Sequence, residues 1–166
     1  MKIILTTLAL FFMIAASSCG GDGNGNGSAN PTSGTWYFTP GAVSSDTCNY
    51  SDTPVDPSGN FQLQNNGDGT LLLTPSDGTP AFTCSLSGSS LSCPDRAVED
   101  IDATPLAAVF HIHATAQATF SSDTAMSGSQ TANVTCDGAQ CAMAATAVGI
   151  TLPCSYTQSF TASLVP

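Results

Sequence analysis

Between positions 106 and 120, apolar and polar side chains alternate with a period of two. Leu106, Ala108, Phe110, Ile112, Ala114, Ala116, Ala118 and Phe120 hold the even positions, while His111, His113, Thr115, Gln117 and Thr119 hold the odd ones from 111 onward. Successive side chains of an extended strand point to opposite sides, so this spacing describes a strand with one buried face and one wet face. A strand of that length carries a ladder of N–H and C=O groups along both edges, and other strands must satisfy them. The alternation therefore commits the chain to a sheet.

The same pattern recurs on either side. A first strand opens at Ser33-Gly34-Thr35-Trp36-Tyr37-Phe38, with Trp36 and Phe38 on one face. Phe61-Gln62-Leu63 and Leu71-Leu72-Leu73 flank Asn65-Asn66-Gly67-Asp68-Gly69, which predicts a hairpin. Setting Leu63 opposite Leu71 and Phe61 opposite Leu73 keeps one apolar face, given a loop of about three or five residues with a glycine at positive φ. A second hairpin over 79–93 turns at Gly88-Ser89 and sets Leu86 opposite Leu91 and Cys84 opposite Cys93, at non-hydrogen-bonded positions where side chains approach most closely. Further strands follow over 126–136, 142–148 and from Cys154 to Leu164. Residues 41–59 and 94–105, rich in Ser, Asp and Pro, read as long irregular connections, the second acidic and holding a short helical turn.

The pattern contains no helix of any length. The expected class is all-β, an antiparallel up-and-down barrel of about eight strands, because closure removes the exposed edges of an open sheet. A two-sheet β-sandwich gives nearly the same alternation and stays open as the alternative.

Charge narrows the partners. The formal net charge is -10, from 12 acidic residues against Lys2 and Arg96. Nucleic-acid binding and adhesion to anionic headgroups both need clustered Lys and Arg, so neither is expected. The 42% hydrophobic fraction argues for a folded chain.

Lys2 precedes an apolar run over 3–16, and small residues at Ala16, Ser17 and Ser18 lead into Cys19. The run reads as a secretory signal, too short for a comfortable membrane span. With its cysteine, the stretch resembles a bacterial lipobox, with Ala16 where leucine is usual. The resemblance implies a signal peptide over 1–18 that is removed, acyl chains on Cys19 and a permanent membrane anchor. Gly20 after the cysteine implies the outer membrane, with the domain facing the periplasm or the cell surface. Residues 19–33, with Gly20, Gly21, Gly23, Gly25 and Gly27, form the expected tether, and 34–166 the barrel domain. With Gly34-Thr35-Trp36 on its first strand, that domain resembles a lipocalin-like or avidin-like barrel in architecture.

Six cysteines remain beyond Cys19, an even number in an oxidising compartment, so three disulfides are expected. Hairpin geometry favours Cys84 with Cys93 and Cys136 with Cys141, leaving Cys48 for Cys154. Zinc ligation is disfavoured, because no Cys-x-x-Cys occurs.

His111 and His113 share a strand face and could grip one ion with a third ligand. Their face is the polar one, however, and they read as exposed residues among threonines. Asp95, Glu99, Asp100 and Asp102 could ligate calcium but read as a solvated acidic stretch. Asn66-Gly67-Asp68-Gly69 is a turn, since Pro75 stands where a calcium loop needs its bidentate Glu. Neither a Gly-x-Ser-x-Gly elbow nor a His-Glu-x-x-His occurs, so no catalytic residues, metal or cofactor are expected and the chain reads as a non-enzyme.

Trp36, Phe38, Phe82, Phe110, Tyr156 and Phe160 could line a ligand cavity inside the barrel, or simply fill a packed core. The inward alanines, such as Ala116 and Ala118, suit a void or close sheet packing equally. The leading expectation is a lipid-anchored envelope protein whose barrel binds a small apolar ligand or envelope component, with Trp36, Phe38, Phe110, Tyr156 and Phe160 as ligand contacts. The alternative is a protein-interaction module, such as a hydrolase inhibitor or surface partner. It would use the loops at 41–59 and 94–105 and an acidic surface that attracts a basic protein. Lipid-anchored lysozyme inhibitors are similar small, disulfide-bearing barrels.

Overall fold

The computed structural model describes residues 28–49 and 58–166. Cys19 and the residues read as signal and lipobox lie outside them. Eight strands form one closed antiparallel barrel in sequence order, which decides against the sandwich. They are β1 (Gly34–Asp46), β2 (Gly59–Asn65), β3 (Thr70–Pro75), β4 (Phe82–Ser87), β5 (Ser90–Asp102), β6 (Val109–Ser122), β7 (Ala125–Asp137) and β8 (Cys154–Leu164). Pairing of β1 with β8, from Trp36 opposite Leu164 to Asp46 opposite Tyr156, closes the ring.

The alternation works as expected on β6 and β8. Phe110, Ala114, Ala118 and Phe120 are buried on one, and Cys154, Tyr156, Gln158, Phe160 and Ala162 on the other. The strand expected from 106 starts at Val109, because 103–108 form a turn closed by Leu106 N–H donating to Ala103 O.

The β2–β3 register differs by two residues from the expected one: Leu63 faces Leu73, Phe61 faces Pro75, and Asn65 faces Leu71. A slip of two leaves every side chain on its own face. The loop is the three-residue form, Gly67-Asp68-Gly69, with both glycines at positive φ. Side-chain caps tighten it, since Gly67 N–H donates to Asn65 Oδ1 (3.0 Å) and Thr70 N–H to Asp68 Oδ1 (3.0 Å). The second hairpin has the expected register, Leu86 opposite Leu91.

Three readings of irregular or extended chain need correction. Residues 41–46 continue β1 and 94–102 continue β5, so neither connection is as long as composition suggested. Register shifts absorb the prolines: β1 is irregular after Pro40, and β5 after Cys93, where Pro94 sits. Residues 142–148, read as a strand, belong to the helix α1 (Cys141–Val148). Its four alanines are the best helix formers. Gly149, in the left-handed conformation at its end, donates its N–H back to Ala145 O and Thr146 O.

All three expected disulfides are present: Cys48–Cys154, Cys84–Cys93 and Cys136–Cys141. The first ties the end of β1 to the start of β8, and the third fastens α1 to the end of β7.

The barrel has unequal walls. β2, β3 and β4 run for 7, 6 and 6 residues, whereas β1, β5, β6 and β7 run for 13 or 14. The end that holds the three tight turns is closed. There Trp36, fully buried, packs edge-on against Phe120 at 5.9 Å, amid Leu63, Leu71, Met126 and Ala162. Residues 28–33, expected to be tether, lace this end together. Ala29 N–H donates to Gly88 O, Thr32 N–H to Asp123 O and Trp36 Nε1 to Thr32 O, and Pro31 is buried. At the other end the long strands extend past the short ones and bury a second cluster, in which Phe110, Val134 and Cys154 pack with Ala144, Ala145 and Ile150.

Candidate functional site

Where the short strands stop, the barrel interior opens. The cavity measures about 400 Å³ and lies between the two cores. Its deeper wall is apolar: Phe61, Leu73, Leu91, Ala118 and Met126, with Phe160 beside them. Phe38 and Phe160 lie face to face at a tilt, with centroids 5.2 Å apart. Toward the mouth, where β2 begins and β3 ends, the lining turns polar with Ser58, Asn60, Ser76 and Asp77. Ala116 and Ala118 both line the space, so here small side chains leave a void rather than a close contact.

The five aromatic residues expected as ligand contacts divide. Phe38 and Phe160 line the cavity. Trp36 belongs to the core at the closed end, and Phe110 to the second cluster. Tyr156 does not line the cavity: it is buried, and its hydroxyl donates to Gln158 Oε1 (3.0 Å), whose amide Nε2 donates to Gly41 O (3.1 Å). Alternation places all five on the inner face, but the inner face serves two cores and a cavity, which a period of two cannot separate.

Sequence reasoning missed Arg96 as a lining residue. In a regular strand the residues sharing a face with Leu91 and Cys93 would be Asp95 and Ala97. The register shift changes that parity. Cys93 faces Ala116 and Arg96 faces Ala114, so three steps along β5 match two along β6. The bulge turns Arg96 inward and leaves Asp95 outside. Arg96 lies over the Phe82 ring, 3.8 Å from Cζ to the centroid, and Nη1 approaches Ala114 O at 3.5 Å. Pro94 was the available signal, since proline inside a paired strand marks an irregularity.

Two register shifts set the outer surface: the first leaves Asp95 outside, and a second, between Ala97 and Glu99, brings Asp100 back to the outer face opposite His111. Asp95 accepts a hydrogen bond from His113 Nδ1 at 2.8 Å, and Asp100 meets His111 Nδ1 at 2.7 Å, with Asp137 3.4 Å from His111 Nε2. The bonded Asp100 carboxylate holds the His111 pKa above its ordinary 6.5, against a smaller opposing effect of desolvation. Asp102 accepts from Thr104 Oγ1. The acidic residues are thus dispersed along an exposed strand, and among the described residues no three His, Cys, Asp or Glu side chains are grouped to hold a metal ion.

No protein-family model matches the chain, and neither curated proteins nor solved structures yield a match. The functional reading therefore rests on the cavity itself.

Proposed function

We propose that this chain is a non-enzymatic, lipid-anchored envelope protein whose barrel binds a small apolar ligand. The observation that carries the reading is the 400 Å³ cavity, apolar in its depth and open at one end, within the size range of sites that enclose small molecules. Filling it would remove Phe38, Leu73 and Phe160 from water at about 25 cal/mol per Å² of apolar surface.

The position of residues 28–33 fits an anchored carrier. Residues 28–33 lie across the closed end, so a tether from an acylated Cys19 would approach the barrel from the side opposite its mouth. The cavity would then face away from the bilayer. In the outer membrane that direction is the periplasm or the cell surface.

The test uses the full chain with Cys19→Ser, titrated with the neutral fluorophore N-phenyl-1-naphthylamine. The variant should lack acyl chains by mass spectrometry and bind the probe saturably at one site. Ala116→Phe, which fills the cavity, should weaken binding by at least about tenfold with an unchanged melting curve. Binding that is non-saturable, or indifferent to Ala116→Phe, would refute the carrier reading; a mass spectrum of the parent protein that shows Cys19 without acyl chains would refute the anchor.

A further inference from the structure

Among the described lining residues the cavity carries one charge of each sign, Asp77 at the rim and Arg96 over one face of the Phe82 ring, so net charge does not choose the ligand. The wall's aromatic content is more selective. The chain has eight Phe, of which Phe11 and Phe12 lie in the apolar run near its start. Four of the other six, Phe38, Phe61, Phe82 and Phe160, line the cavity, so phenyl rings gather around this one space.

Phe38 is the ring with room beside it. On β1 it stands opposite Gly59 of β2 and Ala162 of β8. Directly opposed side chains are the ones that cover each other across a sheet, and here one neighbour has no side chain and the other a single methyl. Among the described residues, a Cβ on Gly59 would meet nothing within 4 Å. Gly59 itself lines the cavity, and glycine in a paired strand often marks the close approach of a ligand. Phe160 stands tilted 33° from Phe38, with centroids 5.2 Å apart, and Phe61 lies two residues along β2 from Gly59, on the same face. A flat ring entering this gap would meet phenyl groups in offset or edge-on contact, which adds to binding beyond the area buried. A saturated ring of the same carbon skeleton is thicker, has no π face and gains from area alone.

Building on the carrier reading above, we propose that the ligand carries a flat aromatic ring, seated against Phe38 in the space over Gly59 with Phe160 and Phe61 beside it. Phe38 then sets a preference for aromatic over saturated rings of equal size.

The test measures binding of naphthalen-2-ol and of decahydronaphthalen-2-ol to the Cys19→Ser full chain by titration calorimetry. Naphthalen-2-ol should bind at least about fivefold more tightly, the scale of one or two aromatic contacts. Phe38→Leu should bring the two within about twofold by weakening the aromatic compound. Gly59→Val, which places a side chain in open space and fills the gap, should weaken naphthalen-2-ol by at least about tenfold. Near-UV circular dichroism establishes that each variant is folded, and if Phe38→Leu does not fold, Gly59→Val decides alone. If the saturated compound matches the aromatic one, if neither binds where N-phenyl-1-naphthylamine does, or if Gly59→Val leaves naphthalen-2-ol binding unchanged, the slot at Phe38 is wrong while the carrier reading stands. A preference that survives Phe38→Leu in a folded chain overturns it equally. If N-phenyl-1-naphthylamine does not bind either, the carrier reading fails first.

Discussion

His111 shows how one side chain responds to its setting. Protonated, it is held by Asp100 on one ring nitrogen and approached by Asp137 on the other. Because its folded-state pKa is raised above 6.5, its stabilising contribution is complete below pH 6.5 and fades as pH rises through the folded-state value. The Asp100→Asn variant should therefore melt lower than the parent at pH 5, and the gap should narrow at pH 8.5. A histidine titration followed by NMR should place the His111 midpoint above 6.5 in the parent and lower in the variant. An unchanged midpoint would show that Asp100 does not hold the ring.

At the scale of elements, the long strands are shaped by their irregular positions. The bulge in β5 exchanges the inner and outer roles of Asp95 and Arg96, so one extra residue decides both the cavity's charge and the outer His113 pair. On β7, Gly128 lies opposite Ala118 of β6 and Phe160 of β8, and a Cβ there would overlap Gln117 O and the Ala118 backbone. That close approach draws β6 and β7 together below the cavity. Gly128→Ala should destabilise the protein by about 1–3 kcal/mol, the usual penalty of overpacking, seen as a lower urea midpoint at unchanged slope. An unaltered midpoint would mean that the strands separate there at little cost.

For the molecule as a whole, the mouth end is the less tightly paired one, because three strands stop short there and β1 beyond Phe38 keeps β8 as its paired neighbour. The Cys48–Cys154 bond spans a sequence separation of 106, whereas Cys84–Cys93 and Cys136–Cys141 span 9 and 5. Chain entropy assigns about 4–5 kcal/mol to a loop of roughly a hundred residues and about 3 kcal/mol to one of fifteen. The double variant Cys48→Ser/Cys154→Ser should accordingly lose more stability than either corresponding variant of the short loops. Equal losses in chemical denaturation would assign the effect to local packing instead.

Much of this was legible along the chain. Strict alternation on β6 and β8 and turn chemistry at Gly67-Asp68-Gly69 and Gly88-Ser89 determined an antiparallel all-β fold, and closeness in sequence paired Cys84 with Cys93 and Cys136 with Cys141, which left Cys48 for Cys154 by elimination. Other features belong to the tertiary structure alone. Alanine-rich 142–148 could alternate as a strand, but it forms a helix whose Ala144 and Ala145 pack into the second core. Acidic 94–102 looked like loop, yet pairing with β6 extended it into a strand through two register shifts. The sequence by itself therefore determined that the inner face is apolar and that the ring can close. Only the closed barrel decided how that face divides into floor, cavity and second core, and that Arg96 points inward, because unequal strand lengths and a single bulge act through pairing between distant residues.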